Sequence, residues 1–164
     1  MAIIVTKKIL RLLEKNGKYT PKDIAALLSL NEEDVENEIS RLTDEGVILG
    51  YKTLINWDKV MPELTTAIIE LKVTPQKGEG FDKIAKEIFS FPEVKSVCLM
   101  SGGYDLAVTV VGMSMKDVAM FVGERLSTLE TVLSTATHFV LRNYKVDGVV
   151  FYDENKDERR VITL

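Results

Sequence analysis

The residues best placed to do chemistry lie in one short stretch, Ser101-Gly102-Gly103-Tyr104-Asp105-Leu106. Adjacent glycines let the backbone reach positive φ and approach another group closely, with N–H donors unscreened by side chains. A phenol and a carboxylate follow directly. Placed between two alternating apolar runs, the stretch reads in two ways. It is a hairpin turn with a polar residue at the strand start, or a loop that holds a small ligand where subunits meet.

The other reactive side chains are few. Cys98 is the only cysteine and His138 the only histidine, so an internal disulfide and a His/Cys zinc site are excluded. A single thiol fits a reducing cytoplasm. His138, between Thr137 and Phe139, reads as a packed strand residue, and Cys98, mid-strand with no second histidine to activate it, reads as core. No catalytic residue, metal site or cofactor is expected.

The elements that must position the loop follow from periodicity. Residues 65–73 alternate, with Ala67, Ile69, Leu71 and Val73 on one face. A helix over 79–91 carries Phe81, Ile84, Ala85, Ile88 and Phe89 inward, closed by Pro92. Strands over 94–100 and 106–111 flank the glycine pair. A second helix over 115–126 turns Met115, Val118, Ala119, Val122 and Leu126 inward, and a long strand covers 131–142. The order β-α-β-β-α-β predicts a ferredoxin-like domain, an antiparallel sheet with both helices on one face. In the last strand Val132, Ala136 and Val140 alternate with Leu133, Phe139 and Leu141. Both sides are apolar, so the open sheet face is expected to pack on a second copy as a homodimer.

The first sixty residues follow another pattern. A helix over 3–16 with Ile9, Leu10, Leu12 and Leu13 apolar stops at Gly17. Thr20-Pro21-Lys22-Asp23 is a start signal for a helix over 21–28, with Ile24, Ala25, Leu27 and Leu28 inward. Asn31 caps a third helix over 32–45 whose buried stripe is Val35, Ile39 and Leu42. Two short β-prone runs around Gly50 read as a wing hairpin. Residues 3–56 thus read as a winged helix-turn-helix, against the plainer alternative of a three-helix bundle for protein contacts. The fold class expected is α+β, divided as 1–60 for the helical head with its linker and 61–164 for the sheet domain with its C-terminal tail, an arm that packs on a neighbour.

The groove-facing candidates on the third helix are Glu36, Asn37, Ser40 and Arg41 beside Glu32 and Glu33, with Lys7, Lys8, Lys18, Lys22 and Lys52 left for phosphates. The helix is acidic, and carboxylates meet phosphate repulsion. The net charge of −4 argues against nonspecific coating of nucleic acid but leaves room for a local reading head. At 46% hydrophobic and 28% charged, the composition is that of a soluble globular protein without membrane partners. The N-terminus lacks the marks of a signal peptide, so a cytoplasmic location is expected.

Three segments carry a family resemblance: LSLNEEDVENEISRLTDEGVI, LGYKTLINWDKV and SGGYDL. With them in place, nearly the whole chain resembles the Lrp/AsnC, or feast/famine, transcription regulators, whose G-x-Y-D segment SGGYDL matches in position. TATHFVLRNYKVDGVV is similar to the last strand of several members. The resemblance implies double-stranded DNA as partner, a dimer that assembles further to a tetramer or octamer, and an amino acid or related metabolite bound between dimers. Carried onto this chain, the effector loop is Gly102, Tyr104 and Asp105 around Gly103, with Met100 and Ser101 as neighbours. The glycine N–H groups would meet the effector's carboxylate. Asp105 would receive its ammonium or cap the loop's own amides, and Tyr104 would close the pocket or pack between dimers. Thr135 and Thr137 would add hydroxyls or remain plain sheet positions.

Two other classes compete. An enzyme on this architecture, as in the siroheme decarboxylases, would need His and Arg residues around a tetrapyrrole. A metabolite-binding or protein-interaction module would keep the fold without strong DNA binding.

Overall fold

Thr20 organises the start of the second helix as its sequence demands. Its hydroxyl accepts from Asp23 N–H at 3.2 Å while the Asp23 carboxylate accepts from Thr20 N–H at 2.9 Å, a reciprocal capping box ahead of Pro21. The computed structural model describes residues 2–75 and 80–151, and the chain divides into two units, Met1–Ile55 and Asn56–Leu164. The charged tail past Phe151, read as a packing arm, lies outside the described residues, as does the start of the helix expected at 79.

The first unit holds α1 (Ala2–Lys15), α2 (Pro21–Leu28) and α3 (Glu32–Asp44). Ile9, Leu13, Ile24, Ala25 and Val35 bury together, with Leu28, Leu30, Ile39 and Ile48 packed against them. Asn31 caps α3 by accepting from Glu33 N–H at 2.8 Å. Ser29 at φ 55 turns the chain between α2 and α3, and Gly46 at φ 69 ends α3.

Two expectations fail in this unit. Leu27 is 58% exposed, because Ile24, Ala25 and Leu28 share one arc of the short α2 and Leu27 falls off its edge. The wing hairpin is not formed either: among residues 47–56 there is no strand. The N–H groups of Val47 and Ile48 both donate to Leu42 C=O, at 2.9 and 3.1 Å, so closing α3 consumes the donors of the first β-prone run. The second run then has no ladder to join. Tyr51 instead reaches Gly17, where an added Cβ would lie 2.9 Å from Tyr51 Cδ1.

The second unit begins with a single 3₁₀ turn, Trp57–Lys59, then β1 (Thr65–Val73), α4 (Asp82–Phe89), β2 (Val94–Leu99), β3 (Leu106–Gly112), α5 (Met115–Phe121) and β4 (Val132–Phe139). The sheet order is β2-β3-β1-β4, antiparallel at every pairing. Ala67, Ile69, Leu71 and Val73 face the helices and are buried with Leu106, Val108 and Val110 of β3 and Ile84 and Ile88 of α4. Phe89, expected inward, is 58% exposed, since it sits past the arc that Ile84 and Ile88 define.

α5 continues into one widened π turn, Val122–Leu126, where Ser127 N–H reaches Val122 C=O at 2.8 Å. The buried set is Val118, Phe121, Val122 and Leu126, while Met115 and Ala119, expected inward, are exposed. In β4 the register slips between Lys72 and Val73 of β1, which pairs Val73 with Val132 but Lys72 with Ser134. The bulge puts Val132 on the helix-facing side with Thr135, Thr137 and Phe139, not with Ala136 and Val140 as simple alternation has it. Leu133 and Leu141 are exposed, and so are Cys98 and His138, both expected to pack, because each lies on the sheet face away from the helices. After β4 comes a hairpin absent from the sequence reading, β5 (Lys145–Val146) and β6 (Val149–Val150), turning through Asp147 (φ 47) and Gly148 (φ 81). Val-Asp-Gly-Val is a type I′ signal between apolar residues and was available in the sequence.

Candidate functional site

Residues 100–105 join β2 to β3; one hydrogen bond closes this loop and two fix it to β1. Met100 N–H donates to Asp105 C=O at 2.8 Å, which closes the loop on itself. Asp105 N–H donates to Leu71 C=O at 2.9 Å. The Asp105 carboxylate then accepts from Val73 N–H at 2.9 Å in a half-buried position. The cause is local. The β1–β3 pairing ends at Leu71 opposite Leu106, so Val73 N–H lies past the ladder and needs another acceptor. Asp105 supplies it. The carboxylate caps the neighbouring strand, not the loop's own amides.

With Asp105 as the anchor, the rest of the loop faces outward. Met100, Ser101, Gly102 and Gly103 are exposed and Tyr104 is half-buried. No heavy atom of the described residues lies within 4 Å of a Cβ placed on Gly102 or Gly103, so in the single chain both glycine backbones border open space. Thr135 and Thr137 lie opposite Leu71 and Ile69, on the far side of β1 from β3. Two strand spacings, about 10 Å, separate Thr135 from Leu106. The loop thus brings together residues 100–105, and the two threonines stand apart from it.

On the first unit, Lys18, Lys22, Glu36, Asn37, Ser40, Arg41 and Lys52 are all exposed. Arg41 is nevertheless engaged. Its guanidinium donates to Glu38 from Nε at 3.0 Å and Nη2 at 2.8 Å, and to Glu45 from Nη1 at 2.7 Å. Thr6 of α1 also donates to Glu38. The hydrogen bonds from Arg41 and Thr6 hold the Glu38 carboxyl down to about 2, and those from Glu38 and Glu45 push the Arg41 guanidinium up. A half-open groove of about 370 Å³ runs beside this contact between α1 and α3, floored by Val5, Ile9, Leu30 and Val35 with Asp34 and Glu38 at its edge. It belongs to the helical unit and is remote in sequence from the glycine loop. Neither the acid pair on Arg41 nor the Tyr51–Gly17 contact was anticipated. Glu38-x-x-Arg41-x-x-x-Glu45 spacing was the available signal for the first.

Two family models match this chain. Residues 4–48 match a winged helix-turn-helix DNA-binding domain, and residues 66–150, the sheet domain that carries the loop, match the Lrp/AsnC ligand-binding domain.

The chain belongs to the Lrp/AsnC family.

It is similar to the uncharacterised helix-turn-helix-type transcriptional regulator YugG of Bacillus subtilis, 46% identical over 95% of each chain. The leucine-responsive regulatory protein of Haemophilus influenzae is 29% identical, with 84% of this chain and 82% of that protein covered. Among solved structures, a Neisseria meningitidis transcriptional regulator in complex with L-Met superposes at a TM-score of 0.72, with 23% identity over 87% of this chain and 91% of that one. The protein is therefore an Lrp/AsnC-type DNA-binding transcriptional regulator with a ligand-binding domain. Among the described residues no helix is long and apolar enough to cross a membrane.

Proposed function

We propose that this regulator binds an amino acid or closely related metabolite at residues 100–105 and converts its concentration into operator occupancy. The observation that carries the reading is the anchoring of the loop: Asp105 holds Val73 N–H while Gly102 and Gly103 stay open. A carboxylate accepts several hydrogen bonds, so the one to Val73 leaves Asp105 able to receive an ammonium group. The glycine N–H groups take the effector's carboxylate. A second copy packed on the open sheet face, and further dimers against the loop, complete the pocket. An effector that favours one assembly then shifts the spacing of the DNA-reading heads. The head contacts DNA through Glu36, Asn37 and Ser40 of α3 and through Lys18, Lys22 and Lys52. The regulator acts in the cytoplasm without catalysing a reaction.

A thermal-shift screen of the twenty amino acids tests the effector. The binding compound raises the melting temperature because it favours the native state. In Gly102→Asp, whose new carboxylate repels the effector's own, the fold is retained and the shift is lost. An unchanged shift in that variant moves the site elsewhere.

A second reading has its own support. Arg41, the only base on α3, is held by two carboxylates, which favours a module that senses a metabolite without strong DNA binding. A gel shift on the protein's own upstream region at stated low and moderate salt separates the two. Salt-sensitive, sequence-dependent retardation supports the regulator reading, and its absence supports the module.

A further inference from the structure

Charge in the helical unit is segregated by element. α3 holds six carboxylates against Arg41, and Arg41 is itself paired twice. A phosphate reaching Arg41 has to displace both partners, and it approaches through the field of the remaining acids. Around the turn between α1 and α2 bases outnumber acids, three lysines against the exposed Glu14 and Asp23. Lys15 ends α1, Lys18 lies in the turn and Lys22 is the second residue of α2, all three exposed. The contact between Tyr51 and Gly17 brings the chain after α3 onto this same turn, and the exposed Lys52 follows Tyr51 directly in sequence. Gly17 is the position that permits the approach, since any side chain there would collide with the Tyr51 ring.

We infer that Lys15, Lys18, Lys22 and Lys52 form one phosphate-binding cluster, assembled by the packing of Tyr51 on Gly17, and that this cluster anchors the head on the DNA backbone in place of α3. This deepens the DNA-binding reading above and rests on it. Among the described residues no salt bridge holds these four lysines, although Lys22 lies in the field of the neighbouring Asp23 carboxylate, so binding them to phosphates displaces counterions and breaks no such bridge. α3 is then left to read base edges from a frame held by another element, which reconciles an acidic helix with a polyanionic partner. Tyr51 is a positioning residue: it touches no nucleic acid and acts through Lys52.

The test is fluorescence anisotropy with the full chain at several KCl concentrations. The probes are a labelled duplex from the protein's own upstream region and a random duplex of equal length. Replacing all four lysines by glutamine flattens the dependence of log K on log salt by about 3–4 per bound subunit, since each phosphate contact contributes ~0.9. Tyr51→Ala flattens it as much as Lys52→Gln does, and the Tyr51→Ala/Lys52→Gln pair adds nothing beyond either. Lys116→Gln removes the same charge from the exposed start of α5 in the sheet domain and leaves the slope near the wild-type value. Circular dichroism confirms that each variant is folded. A quadruple variant with the wild-type slope overturns the cluster, as does a Lys116→Gln effect equal to that of Lys15→Gln. Wild-type protein that binds both duplexes equally, with a slope the cluster variant flattens, overturns sequence-specific regulation and leaves the cluster standing.

Discussion

Two carboxylates, Asp105 and Glu38, each hold separate segments together by accepting a hydrogen bond from a distant part of the chain. Asp105 accepts the Val73 N–H that the end of the β1–β3 ladder leaves without a partner. Asp105→Ala strands that donor in a half-buried setting and should lower unfolding stability by about 1–3 kcal/mol in urea titration, while Asp105→Asn, which keeps a carbonyl acceptor, should cost less. Equal losses in the two variants would show that charge, not the hydrogen bond, matters there. Glu38 links α1 to α3 through Thr6 and binds Arg41. Its folded carboxyl is depressed from 4.5 to about 2, so its contribution is complete above pH 4.5 and is lost as the pH falls toward 2. Comparing wild type with Glu38→Gln by thermal melting, the difference in stability should shrink steadily between pH 5 and pH 2. A difference that stays constant across that range would contradict the pairing.

At the scale of elements, local rules held where one residue decides the outcome. Thr20, Pro21 and Asp23 specify the start of α2, and both halves of the box form. Thr20→Ala should cost about 1 kcal/mol in chemical denaturation, with Thr20→Ser nearly neutral. Caps, alternation in β1 and the strand-helix order were legible because each follows from nearest neighbours and period. The failures share a different cause. Whether 47–56 pairs as a hairpin depends on where Val47 and Ile48 donate, and α3 claims both through Leu42 C=O. The faces of β4 depend on a bulge opposite Lys72 and Val73, which a strict period of two cannot represent. The core side of α5 is set by Val118, Phe121 and Val122, and Phe121, absent from the expected stripe, takes the place given to Ala119. At the site, the glycine loop was visible from composition, but the partner of Asp105 was not, because Val73 lies 32 residues away. Likewise Arg41 read as an available base until Glu38 and Glu45 were placed beside it.

Across the whole molecule, the proposed pairing of two chains through the open sheet face is the route by which a loop on one chain would influence DNA reading. β1 and β3 present Ile68, Glu70, Ala107 and Thr109 there, and β4 adds Ala136 and His138. The small Ala107, Thr109 and Ala136 flank Ile68 and Glu70 of the central β1, and a Glu70–His138 contact of 3.5 Å joins β1 to β4. Ile68 is 41% exposed at this face, an aliphatic side chain that self-association would cover. A bulky charge at the middle of the face cannot be accommodated between two copies, yet it points away from the chain's own core. Ala107→Arg should therefore leave the melting of a single chain's secondary structure intact while halving the mass measured by light scattering at micromolar concentration. It should also weaken operator binding by an order of magnitude or more, because two linked heads bind far more tightly than one. If the mass is unchanged, the sheet face is not the dimer contact, and the loop's influence on the heads must pass through another surface.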